Sequence, residues 1–241
     1  MHAGEECVSP DYWPGKRKDH QCAAQFAGLP FLKATNWHAP VDRTLLSKYQ
    51  GRLITMLRDP MAHKKSWYAH KIVNELVHPS GPGGSASHAL PTLKEWLETH
   101  RGLQVGFLLG FDGFSDLSLN RGHLAEAKRR LRDNFAFVGL TDRWADSVCL
   151  FHASFGGGKC KGCEIAEVNT ARGAVAAGDR VAWSPTPEQL KVLTAYHDEL
   201  DEELLAEGRR LFEERWAKYG VSASQCFACG CAPSSKRPET W

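Results

Sequence analysis

Two short apolar runs along the chain predict buried β-strands, and a helical pattern lies beside each of them. The first run covers residues 52–57, and Pro60 suits the first turn of a helix that we expect to reach residue 77. The second run, residues 135–140, directly follows a charged helical pattern over 122–133. Strands that alternate with helices are typical of an α/β fold.

The middle of the chain carries two further helical patterns. Residues 91–100 predict a short amphipathic helix with Leu93, Trp96 and Leu97 on its apolar face. Residues 102–113 are rich in glycine and aromatic residues and give no clear assignment. Thr141 is expected to cap a helix after the second strand, with an apolar face formed by Trp144, Val148, Phe151 and Phe155.

The last third of the chain predicts a long helical region followed by a tail. Thr186 and Gln189 have the spacing of a capping box that opens this region over residues 187–219. Its buried stripe is expected to comprise Leu190, Leu193, Leu200, Leu204, Leu211, Phe212 and Trp216. Cysteine, serine and proline dominate the end of the chain, so we expect a domain over residues 1–220 and a poorly ordered tail over 221–241.

Composition narrows the class of protein. With 241 residues, 42% hydrophobic and 24% charged, the chain is long enough for one large α/β domain or for two small domains. A net charge of +2 gives no support for nucleic-acid binding, although a local basic pocket for a small anion is compatible with it. The sequence has no apolar run of about 18 residues and no signal-peptide pattern, so we expect the chain as given to be soluble.

Eight cysteines are many for a cytosolic protein of this size, and five of them form two clusters, at residues 160–163 and 226–231. Each cluster contains a C-x2-C pair, which suits either disulfides in an oxidising compartment or a four-thiolate zinc site. The clusters lie more than 60 residues apart, outside the usual spacing of zinc knuckles. Disulfides, zinc binding and free thiols therefore all stay open from the residues alone.

The strongest chemical signal follows the first strand. Arg58, Asp59 and Pro60 lie where the strand is expected to end and the helix to begin, and Ser66 follows on a face of that helix. Open α/β sheets bind anions at the carboxyl ends of their strands. Arg58 can place two hydrogen bonds on one phosphate, and Ser66 can add a hydroxyl.

This R-D-P-x5-S-x-Y-x-H spacing, which runs from Arg58 to His70, resembles the 3′-phosphate motif of sulfotransferases. Those enzymes use 3′-phosphoadenosine-5′-phosphosulfate (PAPS). Residues 137–142 resemble the F-x-G-L-T-E/D turn of glycan sulfotransferases, 169–173 their N-S/T-x-R loop, and 198–219 their final helix. The chain is most similar to the heparan sulfate 6-O-sulfotransferase branch, over roughly residues 7–219.

The resemblance implies a P-loop-like open parallel sheet with flanking helices, and transfer of a sulfuryl group from PAPS to a glycan hydroxyl. It implies that Arg58, Ser66, Thr170 and Arg172 bind the nucleotide, and that no metal is needed. In this branch the general base lies upstream of the Arg58 strand in a His-Ala context, which His38 matches. Histidine suits that role because its pKa lies near neutrality.

The sequence departs from the family pattern at its start. The family's first strand and its K-T-G-G-T-T-like 5′-phosphosulfate loop have no counterpart here, and neither has its membrane anchor. We therefore expect an N-terminally truncated form of a type II Golgi protein, working in the lumen, where the cysteines would form disulfides. Two other classes stay open: a non-catalytic, sulfotransferase-like glycan-binding or interaction protein, and a zinc-stabilised interaction module built on the cysteine clusters.

Overall fold

The computed structural model describes residues 41–77, 91–111, 118–155 and 184–221, and within 70–77 it describes the backbone only. Over these ranges the chain forms a helix-rich α/β structure. In chain order its elements are α1 (Arg43–Lys48), β1 (Leu53–Leu57), α2 (Pro60–Val77), α3 (Leu93–Thr99), α4 (Leu103–Leu109), α5 (Arg121–Asn134), β2 (Phe135–Leu140), α6 (Trp144–Phe155), α7 (Pro187–Ala195) and α8 (Glu199–Tyr219).

The two strands form a small parallel sheet. Leu53 pairs with Phe135 and Leu57 with Leu140, with one irregularity in register between Leu53 and Ile54. The connection between the strands contains α2 to α5, as a parallel pair requires a crossover. The α/β class predicted from the order of strands and helices is therefore confirmed, and the two strands are parallel, as in the sheet that the resemblance implied. Both strands end at the same edge, which we call the carboxyl edge.

The main core surrounds β2. Phe137, Val138 and Leu140 are each 3% exposed or less, and α5, α6 and α8 all contact the strand. Gly208 lets α8 approach β1 closely, because a Cβ atom at this position would lie 2.3 Å from Leu57 Cδ1. The long C-terminal helix is therefore packed directly against the end of β1.

A second cluster joins α2, α3 and α7. Its buried residues are Tyr68, Leu93, Trp96, Leu97 and Leu193. The predicted apolar face of α3 is thus confirmed, and so is the predicted α2 helix to Val77. Thr92 closes a capping box with Glu95 at the start of α3, a local signal that fixes where the helix begins.

The glycine-rich stretch that the sequence left unassigned contains α4. Gly102 and Gly110 bound this helix with φ angles of 68° and 96°, in the left-handed region that glycine adopts without strain. Apolar residues between them are buried, including Leu103, Val105 and Leu108. The glycines thus mark the two ends of a short buried helix.

Three details of the sequence predictions are wrong. Thr141 does not cap a helix: Thr141–Arg143 form a 3-10 turn, and α6 begins at Trp144. Trp144 is 37% exposed and Leu190 is 46% exposed, so neither belongs to a buried face. Their positions fit the apolar period of their helices, but each keeps more than a third of its surface exposed.

The helical region predicted over 187–219 is two helices. The capping box of Thr186 and Gln189 opens α7 as predicted, but this helix ends at Ala195. Asp198 then caps α8 by accepting a hydrogen bond from the backbone N–H of Asp201. The interruption gives α8 its own N-terminus, which lies against the start of α4.

Candidate functional site

Arg58 and Thr141 leave the sheet side by side at the carboxyl edge. Arg58 is the first residue after β1 and Thr141 the first after β2, and the residues before them, Leu57 and Leu140, are register partners. The helix α2 begins two residues after Arg58, and Asp59 Oδ1 accepts a hydrogen bond of 2.7 Å from the backbone N–H of Ala62 in its first turn. The predicted strand–turn–helix geometry around Arg58 is therefore present.

The backbone of Arg58 is held by one side chain. Its N–H donates to Gln104 Oε1 at 2.9 Å, and its carbonyl oxygen accepts from Gln104 Nε2 at 2.9 Å. Gln104 belongs to α4 and is buried. The sequence did not point to this residue, since it lies 46 positions from Arg58 in a stretch without a clear pattern.

The end of β2 is held in a similar way. Ser147 Oγ, buried on α6, accepts a hydrogen bond of 2.9 Å from the N–H of Leu140 and donates one of 3.0 Å to the carbonyl oxygen of Leu140. Both strands therefore finish against a polar side chain from a neighbouring helix. This arrangement satisfies backbone groups at the edge, where strand pairing stops.

The guanidinium group of Arg58 has no partner among the described residues. Its side chain is half-buried, and no hydrogen bond or ion pair reaches its guanidinium from the part of the chain that the structure describes. Burial lowers the pKa of Arg58, and the negative charge of Asp59 partly opposes this effect. A desolvated cation without a carboxylate partner interacts strongly with an anion that enters the site.

Ser66 lies on the same helix that begins at this edge. It is the seventh residue of α2, roughly 9 Å along the helix axis from Pro60. Its side chain is exposed, and within the described ranges its hydroxyl makes no hydrogen bond. The structure thus places Arg58 at the edge and Ser66 about two turns into the adjoining helix, with its hydroxyl open to a partner.

The other predicted site residues, His38, Thr170 and Arg172, lie outside the described residues. Their approach to Arg58 stays a prediction. Of the segments that carry the resemblance, residues 137–142 form the end of β2 and the turn after it, and 198–219 form α8 with its cap.

A buried charged cluster that the sequence did not reveal lies beneath the edge. Lys64 on α2 forms an ion pair with Asp198, and their side chains are 1% and 2% exposed. Lys64 Nζ also donates to the hydroxyl of Tyr196 at 3.1 Å, and Asp198 accepts from the N–H of Gly102 at 2.9 Å. The burial of Lys64 could have been predicted from the period of α2. Lys64 lies four residues from Pro60 and four from Tyr68, which are both buried.

Asp201 connects this cluster to the residue that holds Arg58. Its two carboxylate oxygens accept hydrogen bonds of 3.0 Å from the N–H groups of Gln104 and Val105. Burial and the nearby Asp198 carboxylate raise the pKa of Asp201 to about 7, against the opposing effects of the two N–H groups and Lys64. The side chain of Asp201 is 1% exposed, so this carboxyl is structural rather than open to a ligand.

Neither cysteine cluster lies among the described residues, and of the eight cysteines the structure describes Cys149 alone, buried on α6. The disulfide, zinc and free-thiol alternatives therefore stay predictions. Within the described ranges no group of three or more His, Cys, Asp or Glu side chains is arranged to hold a metal ion. Of the helices described, none is both long and apolar enough to cross a membrane.

The carboxyl edge therefore carries the half-buried Arg58, whose backbone is held by Gln104, and an exposed hydroxyl, that of Ser66, lies about two turns along the helix that starts there. This chemistry suits recognition of a phosphate or sulfate group. Comparisons of the chain with protein-family models, with curated proteins and with solved structures gave no match.

Proposed function

We propose that the protein is a PAPS-dependent sulfotransferase that moves a sulfuryl group to a hydroxyl of a glycan. The observation that carries this proposal is Arg58: a half-buried arginine directly after a parallel strand, with no partner among the described residues. It stands in an R-D-P-x5-S sequence whose serine, Ser66, is exposed on the next helix. In this proposal both residues bind the 3′-phosphate of the nucleotide.

The arrangement of the elements supports the finer fold assignment. A sulfotransferase fold needs a parallel sheet whose carboxyl edge receives the nucleotide, and β1 and β2 are parallel with Arg58 at that edge. The segment over 137–142, whose sequence resembles the F-x-G-L-T-E/D turn of glycan sulfotransferases, forms the end of β2 and a turn beside Arg58. The segment over 198–219, whose sequence resembles the final helix of those enzymes, forms α8 with its cap.

The proposed reaction is an in-line transfer. An acceptor hydroxyl oxygen forms a bond to sulfur while the bond from sulfur to the phosphate oxygen of PAPS breaks, which releases adenosine 3′,5′-bisphosphate. Positioning and charge stabilisation supply most of the catalysis in such transfers. In this proposal His38 takes the proton of the hydroxyl, and Thr170 and Arg172 close over the nucleotide. The enzyme would work in the Golgi lumen.

Calorimetric titration with adenosine 3′,5′-bisphosphate tests the nucleotide site. Arg58→Ala should weaken binding by about 1.5–3 kcal/mol, because it removes a charge-assisted hydrogen-bond donor. Arg52→Ala is the matched control, since Arg52 is an exposed arginine just before the same strand. Equal affinities of wild type and Arg58→Ala would contradict the proposal.

Transfer of labelled sulfate from PAPS to heparan-type polysaccharides then tests the reaction itself. Retention on a glycan column without nucleotide binding would favour a non-catalytic glycan-binding protein. One zinc ion per chain in metal analysis would favour an interaction module built on the cysteine clusters.

A further inference from the structure

We infer that Gln104 is a positioning residue for phosphate recognition, because its carboxamide fixes the backbone of Arg58 and with it the direction in which the side chain leaves the carboxyl edge. The inference rests on the proposed function. It adds to the site a residue that lies outside the R-D-P-x5-S sequence and on a different helix, α4.

The geometry of the contact carries the argument. Gln104 accepts from the N–H of Arg58 and donates to its carbonyl oxygen, both at 2.9 Å. These two groups belong to the peptide planes on either side of the Arg58 Cα atom. When both planes are fixed, the direction of the Cα–Cβ bond is fixed as well, and the side chain departs from the edge at a set angle.

Gln104 is itself held in place. It is 7% exposed, and its backbone N–H donates to Asp201 Oδ2 at 3.0 Å. Asp201 lies next to Asp198, which forms the buried ion pair with Lys64. The carboxamide therefore extends from a buried, hydrogen-bonded base, so the backbone of Arg58 needs no ordering when a ligand binds its side chain.

An amide is the suitable group for this task. The Arg58 backbone offers one donor and one acceptor, and a glutamine side chain matches both with one oxygen and one NH2 group. A carboxylate in its place has no proton to donate to the Arg58 carbonyl oxygen, and it brings a negative charge close to the guanidinium. A neutral residue holds the backbone and leaves the positive charge for a ligand.

The test separates the 3′-phosphate from the rest of the nucleotide. The affinity of the full chain is measured by calorimetry for adenosine 3′,5′-bisphosphate and for adenosine 5′-monophosphate, which lacks the 3′-phosphate. The quantity compared is the affinity for the bisphosphate divided by the affinity for the monophosphate. We expect Gln104→Ala to reduce this ratio by about 5-fold or more, and Gln104→Glu to reduce it at least as far. Fluorescence-detected thermal unfolding of each variant, recorded in parallel, reports whether the fold persists.

Gln189→Ala is the matched control, because the Gln189 side chain also binds a backbone N–H, that of Thr186 at 2.9 Å, but on α7. This variant should leave the ratio unchanged. If Gln104→Ala does not fold, Gln104→Glu, which keeps the volume and the acceptor oxygen, carries the same test.

The outcomes distinguish the two proposals. A ratio that falls with Arg58→Ala but not with the folded Gln104 variants overturns the positioning role and leaves the proposed function standing. A wild-type chain with equal affinity for both nucleotides overturns the proposed function, and the positioning role with it. A ratio that falls equally in Gln189→Ala shows a general structural effect and also overturns the inference.

Discussion

Lys64 and Asp198 form an ion pair in the interior of the protein, 134 positions apart in the sequence. Tyr196 completes the environment of the ammonium group, with its hydroxyl 3.1 Å from Lys64 Nζ and its ring centroid 4.7 Å away. Through this pair α2, which begins at the carboxyl edge, is joined to the residue that caps α8. The pair therefore connects the candidate site to the C-terminal helix.

Replacing Lys64 should be strongly destabilising. Lys64→Met leaves the Asp198 carboxylate buried without its counterion, and we expect a loss of about 3–5 kcal/mol in the free energy of unfolding. Urea denaturation followed by fluorescence measures it. Lys65→Met, at a partly exposed neighbouring lysine with no ion pair among the described residues, should change stability by about 0.5 kcal/mol or less. Similar losses in the two variants would contradict a dominant role for the pair.

The raised pKa of Asp201 gives stability a specific pH dependence. The folded state holds a proton on this carboxyl up to about pH 7, whereas the unfolded chain loses it near the ordinary value of 3.8. The stabilisation from this group is therefore full below about pH 4 and is lost as the pH rises to about 7. Over this range the free energy of unfolding falls by at most about 1.4 kcal/mol per pH unit because of this group.

Urea denaturation of Asp201→Asn at several values between pH 4.5 and 7.5 tests this linkage. We expect the decline in stability across this window to be smaller in the variant than in the wild type. Asp133→Asn, at an exposed aspartate of α5, serves as the control and should keep the wild-type slope. An unchanged slope in Asp201→Asn would show that Asp201 is ionised throughout this range.

Gly208 controls the contact between α8 and β1. Alanine is favoured over glycine in a helix by about 1 kcal/mol. Against this, a Cβ atom 2.3 Å from Leu57 Cδ1 forces a buried side chain to move, which typically costs about 1–3 kcal/mol. We therefore expect Gly208→Ala to be neutral to destabilising by up to about 2 kcal/mol.

A double-mutant cycle assigns any loss to this contact. Leu57→Val removes the Cδ1 atom, so the double variant should be more stable than the sum of the two single changes predicts. If the changes in the free energy of unfolding are additive, the loss in Gly208→Ala does not arise from its contact with Leu57.

His38 stays the predicted general base, and its test is kinetic. In a form of the protein that carries a 5′-phosphosulfate loop, His38→Ala should slow transfer by about 10²–10⁴-fold and leave nucleotide affinity nearly unchanged. His197→Ala, at a histidine whose side chain is 73% exposed, is the control. Near-normal turnover of His38→Ala would eliminate this residue as the base.

The sequence alone was sufficient for elements whose signals are local. Pro60 at the start of α2, the Thr186–Gln189 capping box and the apolar period of α3 each lie within the element they define. The placement of Arg58 after β1 also followed from sequence, because a strand end, a proline and a helix start are neighbours along the chain. These features depend on contacts between residues a few positions apart, which a pattern contains in full.

Only the tertiary structure decided which polar residues are buried and what holds the site. Gln104 contacts Arg58 across 46 positions, and Asp201 contacts Gln104 across 97. The period of α2 places Lys64 on its buried face, but the residue that compensates its charge lies far along the chain. Trp144 and Leu190 were predicted from the apolar period to be buried, yet both are partly exposed, because the period identifies a helix face but not how deeply it is buried. Burial depends on packing between distant segments, and no local pattern contains that information.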